Sequence, residues 1–463
     1  MAENGHGVVV GGGLGGILAA CALREHVEQV TVVERDEYPP GAEPRKGVPQ
    51  GRHAHILWSG GARAIDRLAP GSVAALSRAG AHLISAKADM LLHTAYGWQH
   101  RFPSDNHAIT CARPLLDAVV RERALASGRI TVRAGTEAVA LTGDAGRVTG
   151  VRVREPGGAE TELAADIVVD ASGRGSRLPR WLEALGVPAP PVETVDTGLT
   201  YATRPFLRPP GAERFPLASV YADHRAGTPG RNGLVLPIED GTWLITLSGT
   251  RGAEPAADDD AFAPFARALR DPLVADLIAV GEPLGPVRLT RSTVNRRLHA
   301  DRAPAWPEGL VAVGDSVVSL NPIHGHGMSA AAQSAAALAD ALRDIGLKPG
   351  LARAAQQAIA AVVDTPWLLS TSQDICYPDA RIDVTDPRLT VQAGRRQAFA
   401  DLVAAAALRN PAVSGALTAV TTLTAPVSSL ESPAFLTALR SGETRPPLSR
   451  APLSEQEAAV LAR

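Results

Sequence analysis

The sequence is poor in cysteine and in aromatic residues, and it has no excess of charge of either sign. Its 463 residues include only three cysteines, Cys21, Cys111 and Cys376. This odd number without a short spacing argues against both a disulfide framework and a cysteine zinc site, and it is typical of a reducing cytoplasm. Lysine and arginine number 46 against 48 aspartates and glutamates. This balance argues against a nucleic-acid partner, because such proteins usually carry a basic excess.

Uncharged stretches long enough for a membrane or export signal are also few. Residues 7–23 are uncharged but glycine-rich, and the basic region of a signal peptide is missing before them. Residues 410–430 are long enough to span a bilayer, but they contain two prolines and many hydroxyl groups. We interpret 410–430 as a packed or interfacial segment and predict no stable membrane insertion.

Hydrophobic patterning predicts an α/β protein. Residues 8–10 are apolar and β-branched, a glycine-rich turn follows, and residues 17–24 are rich in alanine and leucine. A second strand at 30–33 lies one helix further on, which is the βαβ spacing of a doubly wound parallel sheet. From about 190 to 295, alternating strands with a helical insert near 259–280 predict an antiparallel sheet, and the last hundred residues are mainly helical.

The turn between the first strand and helix carries the first chemical motif. Gly11, Gly13 and Gly16 form a GxGxxG pattern, and Glu34 follows Gly13 by 21 residues. The glycines would permit a tight turn, close approach of a pyrophosphate and packing of the helix on the strand. The helix N-terminus would bind the phosphates, and Glu34 would accept hydrogen bonds from an adenosine ribose. The spacing therefore predicts a dinucleotide site.

Two distant segments indicate which dinucleotide binds. Residues 170–177 (DASGRGSR) follow one predicted strand, and Gly314-Asp315 follows another, about three hundred residues after the glycine turn. A carboxylate this far along the chain suits the ribityl hydroxyls of FAD better than any part of NAD. The run 321–328 (NPIHGHGM) leads into an alanine-rich helix, where backbone N–H groups could stabilise negative charge on a flavin ring. We therefore predict FAD.

Two His-x-His pairs raise the question of a metal. They are His53 with His55 and His324 with His326. Because no carboxylate or cysteine lies beside them at ligand spacing, we predict no metal site.

Together these segments resemble a known group of enzymes. The resemblance is carried by the glycine turn with Glu34, the run RKGVPQGRHAHIL at 45–57, Arg113, residues 170–177 and the run GDSVVSLNPIHGHGMSAAAQ at 314–333. These segments resemble FAD-dependent monooxygenases of the squalene-epoxidase-like group. They are most similar to bacterial polyene epoxidases of polyether biosynthesis. The resemblance covers about the first 345 residues. With the motifs above, it implies a cofactor site made by Gly11, Gly13, Leu14, Gly15, Gly16, Glu34, Arg35, Arg45, Arg113, Val139, Asp315, Pro322, Gly325, Gly327 and Met328.

The resemblance also implies a domain organisation. We expect a discontinuous Rossmann-like FAD-binding domain of the glutathione-reductase or para-hydroxybenzoate-hydroxylase type at 1–80, 108–190 and 296–346. An antiparallel-sheet substrate domain would comprise 81–107 and 191–295, and a C-terminal helical region would comprise 347–463. The WxWxIP signature of the related flavin halogenases is missing from the sequence, which disfavours halogenation.

The implied activity is epoxidation of a hydrophobic, polyketide-like polyene through a flavin C4a-hydroperoxide, in secondary-metabolite biosynthesis. O2 would be the co-substrate, and electrons would come from NAD(P)H or from a partner flavin reductase. The cofactor carries this chemistry, so we assign no catalytic acid or base. Three alternatives stay open: an aromatic hydroxylase, a reductase of isoprenoid double bonds on the same scaffold, and a non-catalytic flavin or interaction protein.

Overall fold

A five-stranded parallel sheet forms the centre of the molecule. The computed structural model describes residues 5–462. The strands of this sheet lie in the order Leu310–Ala312, Ile167–Asp170, His6–Val10, Gln29–Val33 and Ile130–Arg133, all parallel. Their valine- and isoleucine-rich residues are buried, as expected for a sheet covered on both faces. The predicted α/β class and doubly wound parallel sheet are confirmed.

Helices cover this sheet and form most of the C-terminal part of the chain. Near the sheet, α1 packs against α8, and α8 packs against α9. The helices are α1 Leu14–Leu23, α2 Ser59–Leu68, α3 Ser72–Arg78, α4 Arg113–Leu125, α5 Leu178–Ala184, α6 Asp259–Arg267, α7 Leu273–Val280, α8 Gly327–Ile345, α9 Leu351–Asp374, α10 Ala393–Ala407, α11 Pro411–Thr421, α12 Pro433–Ser441 and α13 Glu455–Leu461.

The predicted antiparallel sheet is an eight-stranded sheet. Its order is Glu282–Pro283, Thr200–Leu207, Thr242–Gly249, Arg231–Pro237, Leu217–Val220, Met90–Thr94 and Gly97–Trp98, and Arg288–Thr290 also pairs with Thr200–Leu207. The sheet is antiparallel except where Leu217–Val220 pairs in parallel with Met90–Thr94. The purely antiparallel prediction was therefore wrong at this pair, because a strand from early in the chain joins the sheet there. The predicted helical insert is two helices, α6 and α7.

Three smaller sheets complete the strand pairing of residues 5–462. They are Glu160–Ala164 with Val148–Arg154 and Glu137–Gly143; Val318–Ser319 with Asn295–Leu298, Val192–Asp196 and Arg381–Asp383; and Ile56–Trp58 with His107–Thr110 and His82–Ser85. Along the chain, two strands of the eight-stranded sheet, Met90–Thr94 and Gly97–Trp98, fall between the second and third strands of this last sheet. Its first strand, Ile56–Trp58, carries residues of the candidate site.

The uncharged segment 410–430 forms a short helix within the C-terminal part. Asn410 caps α11 by accepting hydrogen bonds from the N–H groups of Ala412 and Val413, and Pro411 lies in the first turn. Val413 and Val420 of this helix are buried in a cluster of C-terminal side chains. Residues 5–462 contain no helix whose length and hydropathy would let it span a membrane.

Candidate cofactor site

The glycine turn at the carboxyl end of His6–Val10 has the shape predicted for it. Gly11 has φ +99°, and a Cβ there would lie 2.5 Å from the Ala171 carbonyl oxygen. A Cβ at Gly16 would lie 1.8 Å from the Gly11 carbonyl oxygen. A Cβ at Gly13, in contrast, would meet only Arg45 Nη2, at 3.8 Å. The first and third glycines are therefore required by the fold, whereas Gly13 leaves open space above the turn.

Glu34 and Arg45 form a buried ion pair beside this turn. The Glu34 carboxylate accepts a hydrogen bond from the Gly12 N–H at 2.7 Å and lies 3.0 Å from Arg45 Nη1. Arg45 Nη2 and the Tyr38 hydroxyl both donate to the Gly12 carbonyl, at 3.2 and 2.7 Å. The site thus places a guanidinium over the turn, and a ribose would have to share Glu34 with these protein donors.

Arg113 lies close to Arg45 across a cleft. It occupies the first position of α4, is 9% exposed, and its Nε donates to Asp117 Oδ1 at 2.8 Å. Arg45, Arg113 and Arg121 line this cleft together with Asp117. The three guanidinium groups outnumber the Glu43 and Asp117 carboxylates that also line the cleft, and this excess would suit phosphate groups.

Asp315 lies just beyond the carboxyl end of Leu310–Ala312, which Ile167–Asp170 separates from His6–Val10 in the parallel sheet. Its side chain is 30% exposed and lies 3.5 Å from Arg174 Nε. The protein surroundings raise the pKa of Asp315 by desolvation, and the charges of Arg174 and Arg113 oppose this effect. A carboxylate that a small molecule can reach, but that is largely withdrawn from bulk water, is suited to bind hydroxyl groups.

Residues 322–327 form the turn that leads into α8. Gly325 has φ +67°, and a Cβ there would lie 3.3 Å from Trp58 Nε1 and 3.5 Å from Ile56 Cβ. A Cβ at Gly327 would meet nothing within 4 Å. Trp58 Nε1 and His326 Nδ1 are both buried without a hydrogen-bond partner in residues 5–462. The turn is therefore packed on the Trp58 side and open at Gly327.

The remaining predicted residues divide into backbone and side-chain positions. Leu14 and Met328 are buried core residues in the first turns of α1 and α8, so they would offer a ligand only their backbone groups. Gly15 lies in α1, and a Cβ there would be 3.7 Å from Ala331 of α8. Pro322 begins the short helix before Gly325. Arg35 is exposed and follows the strand Gln29–Val33.

Val139 occupies an irregular position of its strand. The pairing with Val148–Arg154 passes from Ala140 opposite Arg152 to Ala138 opposite Val153, so Val139 lies outside the regular register. Its carbonyl accepts a hydrogen bond from Trp181 Nε1 at 3.1 Å. The carbonyl is therefore occupied by the protein, and the predicted backbone contact would fall to the N–H group.

The His-x-His pairs are engaged in separate protein contacts. His53 Nδ1 is 2.8 Å from Thr203 Oγ1, and His55 Nδ1 is 2.8 Å from the His53 carbonyl oxygen. Burial lowers the pKa of His53 to about 4, and burial together with the charge of Arg113 lowers that of His55 to about 3. Among the described residues, no group of three or more histidine, cysteine, aspartate or glutamate side chains is arranged to hold a metal ion.

Several residues at the site were not singled out from the sequence. Tyr38 contacts the glycine turn, and Arg174 connects Asp315 to the carbonyls of Val294 and Leu320. Trp58 covers Gly325. Asp374 of α9 accepts a hydrogen bond from Asn321 at the start of the turn before α8. Arg174 belongs to the DASGRGSR segment at 170–177, which is the only signal in the sequence that indicates it. The others depend on contacts between residues far apart in the chain.

The arrangement fits an extended dinucleotide such as FAD. Neither α1 nor α8 has a side-chain cap, so the N–H groups of both first turns remain available to a ligand. The Cβ sides of Gly13 and Gly327 are open, and Asp315 is accessible beyond Leu310–Ala312 at the same carboxyl end of the parallel sheet. The fold and this site define a Rossmann-type flavoprotein architecture.

Comparisons with known proteins agree with this class. Residues 8–180 match the model of the FAD dependent oxidoreductase family. The chain is 33% identical over 390 residues to Protein Rv3254 of Mycobacterium tuberculosis (strain ATCC 25618 / H37Rv), covering 81% of each protein. It is 28% identical over 353 residues to a kynurenine 3-monooxygenase of Xanthomonas oryzae pv. oryzae, covering 72% of this chain and 71% of the relative. The chain therefore belongs to the same family as Protein Rv3254, and its residues 8–180 match the FAD dependent oxidoreductase model.

Solved structures share the whole fold at low sequence identity. The flavin-dependent brominase Bmp2 has a TM-score of 0.66 at 15% identity, covering 90% of this chain and 94% of the brominase. PqsL of Pseudomonas aeruginosa, described as a probable FAD-dependent monooxygenase, has a TM-score of 0.59 at 20% identity, covering 86% of this chain and 99% of PqsL. At these identities the likeness establishes the fold and leaves the reaction to other arguments.

Proposed function

We propose that this chain is an FAD-dependent monooxygenase that epoxidises alkenes of a hydrophobic, polyketide-like polyene. The observation that carries the proposal is the apolar wall beside the Gly325 turn. Ile56 and Trp58 lie against the turn, and Leu92 and Leu234 of the eight-stranded sheet are half-buried against the same apolar cluster. Such a surface suits a long apolar substrate, because burial of hydrocarbon supplies most of its binding free energy.

The proposed cofactor residues would each hold one part of FAD. Glu34 would accept hydrogen bonds from the ribose, Arg45 and the α1 N-terminus would neutralise the pyrophosphate, and Asp315 would bind the ribityl chain. When bound, FAD would supply the reaction with O2 and the transfer of one oxygen atom. The chain would orient the alkene, exclude water and supply backbone N–H groups from the α8 turn.

The electron source belongs to the same proposal. NAD(P)H or a separate flavin reductase would reduce the enzyme, and O2 would be the second substrate. The sequence has no second GxGxxG pattern followed by an acidic residue that would mark a stable nicotinamide site. A reductase partner is therefore our first expectation, and direct reduction by NAD(P)H is the alternative.

Isotope labelling tests the proposed reaction. The FAD-loaded protein, supplied with NADH, a flavin reductase and ¹⁸O2, is expected to add one labelled oxygen atom to a linear apolar polyene, and mass spectrometry detects the product. If polyenes are recovered unchanged while phenols gain the label, the protein is an aromatic hydroxylase. The relatives of this chain include two kynurenine 3-monooxygenases, which favour the aromatic hydroxylase as the second candidate. Saturation of a double bond without O2 would instead indicate a reductase.

Trp58 offers a sharper test of the apolar wall. Trp58→Ala should lower kcat/KM for a polyene by more than it lowers the affinity for FAD, because the ring adds apolar area to this wall as well as packing against Gly325. Trp58→Phe is the matched variant, since it keeps most of the aromatic surface and should keep most of the activity. Equal loss of activity in both variants would show that the indole N–H, and not the apolar area, is what the substrate requires.

A further inference from the structure

The turn that joins His82–Ser85 to Met90–Thr94 carries a lysine in the left-handed backbone conformation. Lys87 has φ +74°, which costs free energy in any residue with a Cβ. Two hydrogen bonds fix the turn around it. The Ser85 N–H donates to the Asp89 carboxylate at 3.1 Å, and the Asp89 N–H donates to the Ser85 carbonyl at 3.0 Å. The turn therefore holds Lys87 in place, and the Asp89 carboxylate is engaged with the backbone.

Gln99 binds the ammonium group of Lys87. Lys87 Nζ donates to Gln99 Oε1 at 2.8 Å. Gln99 is buried, and its Nε2 donates to Ser414 Oγ at 3.2 Å and to the Ala407 carbonyl at 3.4 Å, so its oxygen is the atom that faces the lysine. An ammonium group has three N–H donors, and two of those of Lys87 remain for another acceptor.

This ammonium group lacks a counter-charge within the described part of the chain. Among residues 5–462 no carboxylate forms an ion pair with Lys87, which is partly buried, and burial by itself lowers its pKa to about 8. The amine is therefore still mostly protonated at pH 7. A positive charge that is withdrawn from water without a partner is unfavourable unless a ligand pairs with it. Such a charge indicates a ligand that is negatively charged.

The lysine lies on a defined face of the eight-stranded sheet. His93 pairs with Trp98 at the antiparallel edge of this sheet, and the Gln99 N–H donates to the Leu92 carbonyl at 3.0 Å. Gln99 and Leu92 are thus opposite each other at the next position. Residues that lie opposite each other on paired strands have their side chains on the same face. The group that Gln99 binds, Lys87, is therefore on the Leu92 side of the sheet.

The Leu92 side contains the apolar wall of the proposed function. Ala86, the residue before Lys87, is buried in an apolar cluster, and Leu92 and Trp58 both pack against that cluster. Trp58 also lies against Gly325. The wall therefore extends from the turn before α8 to the lysine.

Helix α11 connects the two ends of this wall. Ser414, in its first turns, binds Gln99, and the carbonyl of Thr421, its last residue, accepts a hydrogen bond from His326 Nε2 at 2.9 Å. Thr421 follows Ser414 by seven residues, which is about 10 Å along a helix. The lysine is therefore anchored at a distance from the turn before α8, and we assign it to the substrate and not to the cofactor.

We propose that Lys87 binds the carboxylate of the substrate, so that the enzyme acts on an apolar polyene that ends in a free carboxylic acid. The inference rests on the proposed function, which places the hydrocarbon chain on the apolar wall. An alkene of the chain would lie at the Gly325 turn, and the carboxylate would accept the two remaining N–H groups of Lys87. A charged anchor at one end and apolar contact along the rest would fix the direction and the register of the chain.

Binding of a matched acid and ester tests the proposal. The probe trans-parinaric acid is a linear, fluorescent polyene that ends in a carboxylate, and its methyl ester has the same chain without the charge. The FAD-loaded protein is titrated with each probe, and the fluorescence gives the two dissociation constants. Wild type should bind the acid about tenfold more tightly than the ester, because only the acid pairs with Lys87.

Lys87→Met removes the charge and keeps an apolar side chain of similar length. This variant should bind the acid about tenfold less tightly than wild type and the ester within about twofold of it. Its melting temperature should be at or above that of wild type, because it no longer buries an unpaired charge. A lower melting temperature together with an equal loss of affinity for both probes would show a structural role and overturn the proposal.

Lys348→Met is the matched control. Lys348 is exposed between α8 and α9. This variant should keep the wild-type preference for the acid, and loss of the preference here would mean that net charge, and not Lys87, is responsible. If Lys87→Met does not fold, Lys87→Gln takes its place, since it keeps a hydrogen-bonding side chain without the charge.

The outcomes separate this inference from the proposed function. If wild type binds acid and ester equally, or if Lys87→Met keeps the preference, the carboxylate assignment is wrong, and the monooxygenase proposal is decided by the ¹⁸O2 experiment alone. If the preference depends on Lys87 but no polyene gains labelled oxygen, the carboxylate site stands and the epoxidation proposal falls. If wild type binds neither probe, both are contradicted.

Discussion

Arg45 and Glu34 form an ion pair of 3.0 Å whose side chains are only 8% and 9% exposed, directly over the glycine turn. The pair connects the loop that follows Gln29–Val33 to the backbone of Gly12, which both residues also contact. The region expected to bind the adenosine and pyrophosphate of FAD is thus organised by charge in the protein itself.

Removing one partner of this pair should lower the free energy of unfolding. Arg45→Ala leaves the Glu34 carboxylate buried without its guanidinium, and we expect a loss of about 3 kcal/mol in the free energy of unfolding by urea. Arg67→Ala breaks the exposed pair between Arg67 and Asp340 and should cost less than about 1 kcal/mol. Equal losses in the two variants would contradict the buried character of the Glu34 pair.

The glycines of the turn should separate folding from cofactor binding. Gly13→Ala places its methyl group in open space, so the apo protein should keep its stability while FAD binds about tenfold less tightly, a loss of about 1.4 kcal/mol. Gly16→Ala forces a carbon onto the Gly11 carbonyl oxygen and should destabilise the fold by about 3 kcal/mol. Urea unfolding of the apo protein and FAD fluorescence titration measure the two effects. Unchanged FAD affinity in Gly13→Ala would contradict the close approach of the FAD pyrophosphate to the backbone at Gly13.

Asp315→Asn should lower cofactor affinity without lowering stability. Desolvation raises the pKa of this carboxyl, which means that its charge is unfavourable in the apo protein at neutral pH. The amide removes that cost but weakens hydrogen bonds to the ribityl hydroxyls, each worth about 1 kcal/mol. We expect a melting temperature at or above that of wild type and about fivefold weaker FAD binding. Asp344→Asn is the control, and FAD binding equal to wild type in Asp315→Asn would contradict the assignment.

The buried histidines should make stability depend on pH. Burial lowers the pKa of His53 from its ordinary value of 6.5 to about 4, so the unfolded chain binds more protons than the native state between these values. Unfolding free energy should therefore rise as pH increases from 4 to 6.5 and level off above. His53→Gln should reduce this slope by up to about 1.4 kcal/mol per pH unit, measured by urea unfolding at several pH values. An unchanged slope would contradict the burial of a neutral His53.

The local patterns of the sequence predicted much of the parallel sheet. The strands around Val8 and Val32 and the turn between them follow from apolar runs and glycine spacing, which are properties of neighbouring residues. The apolar pattern of residues 161–170 predicts a single strand, but Glu160–Ala164 and Ile167–Asp170 belong to different sheets. The hydropathy of the two strands is similar, and only their distant partners distinguish them.

The candidate site was predictable where it depends on backbone motifs. Gly11, Gly13 and Gly16 follow a spacing that has one structural meaning in this context, and Asp315 follows a strand. Arg174 and Asp374 reach the site from 141 and 59 residues away from Asp315, respectively, and no local spacing connects them to it. Their contacts with Asp315 and His324 arise from the three-dimensional packing of the chain.

The visible spectrum of the purified protein tests the central claim most directly. The account predicts absorbance bands of bound FAD at one equivalent per chain after addition of FAD and gel filtration, with a clearly smaller content in Gly13→Ala and Asp315→Asn. A colourless wild-type protein that fails to quench FAD fluorescence at micromolar concentration would contradict it.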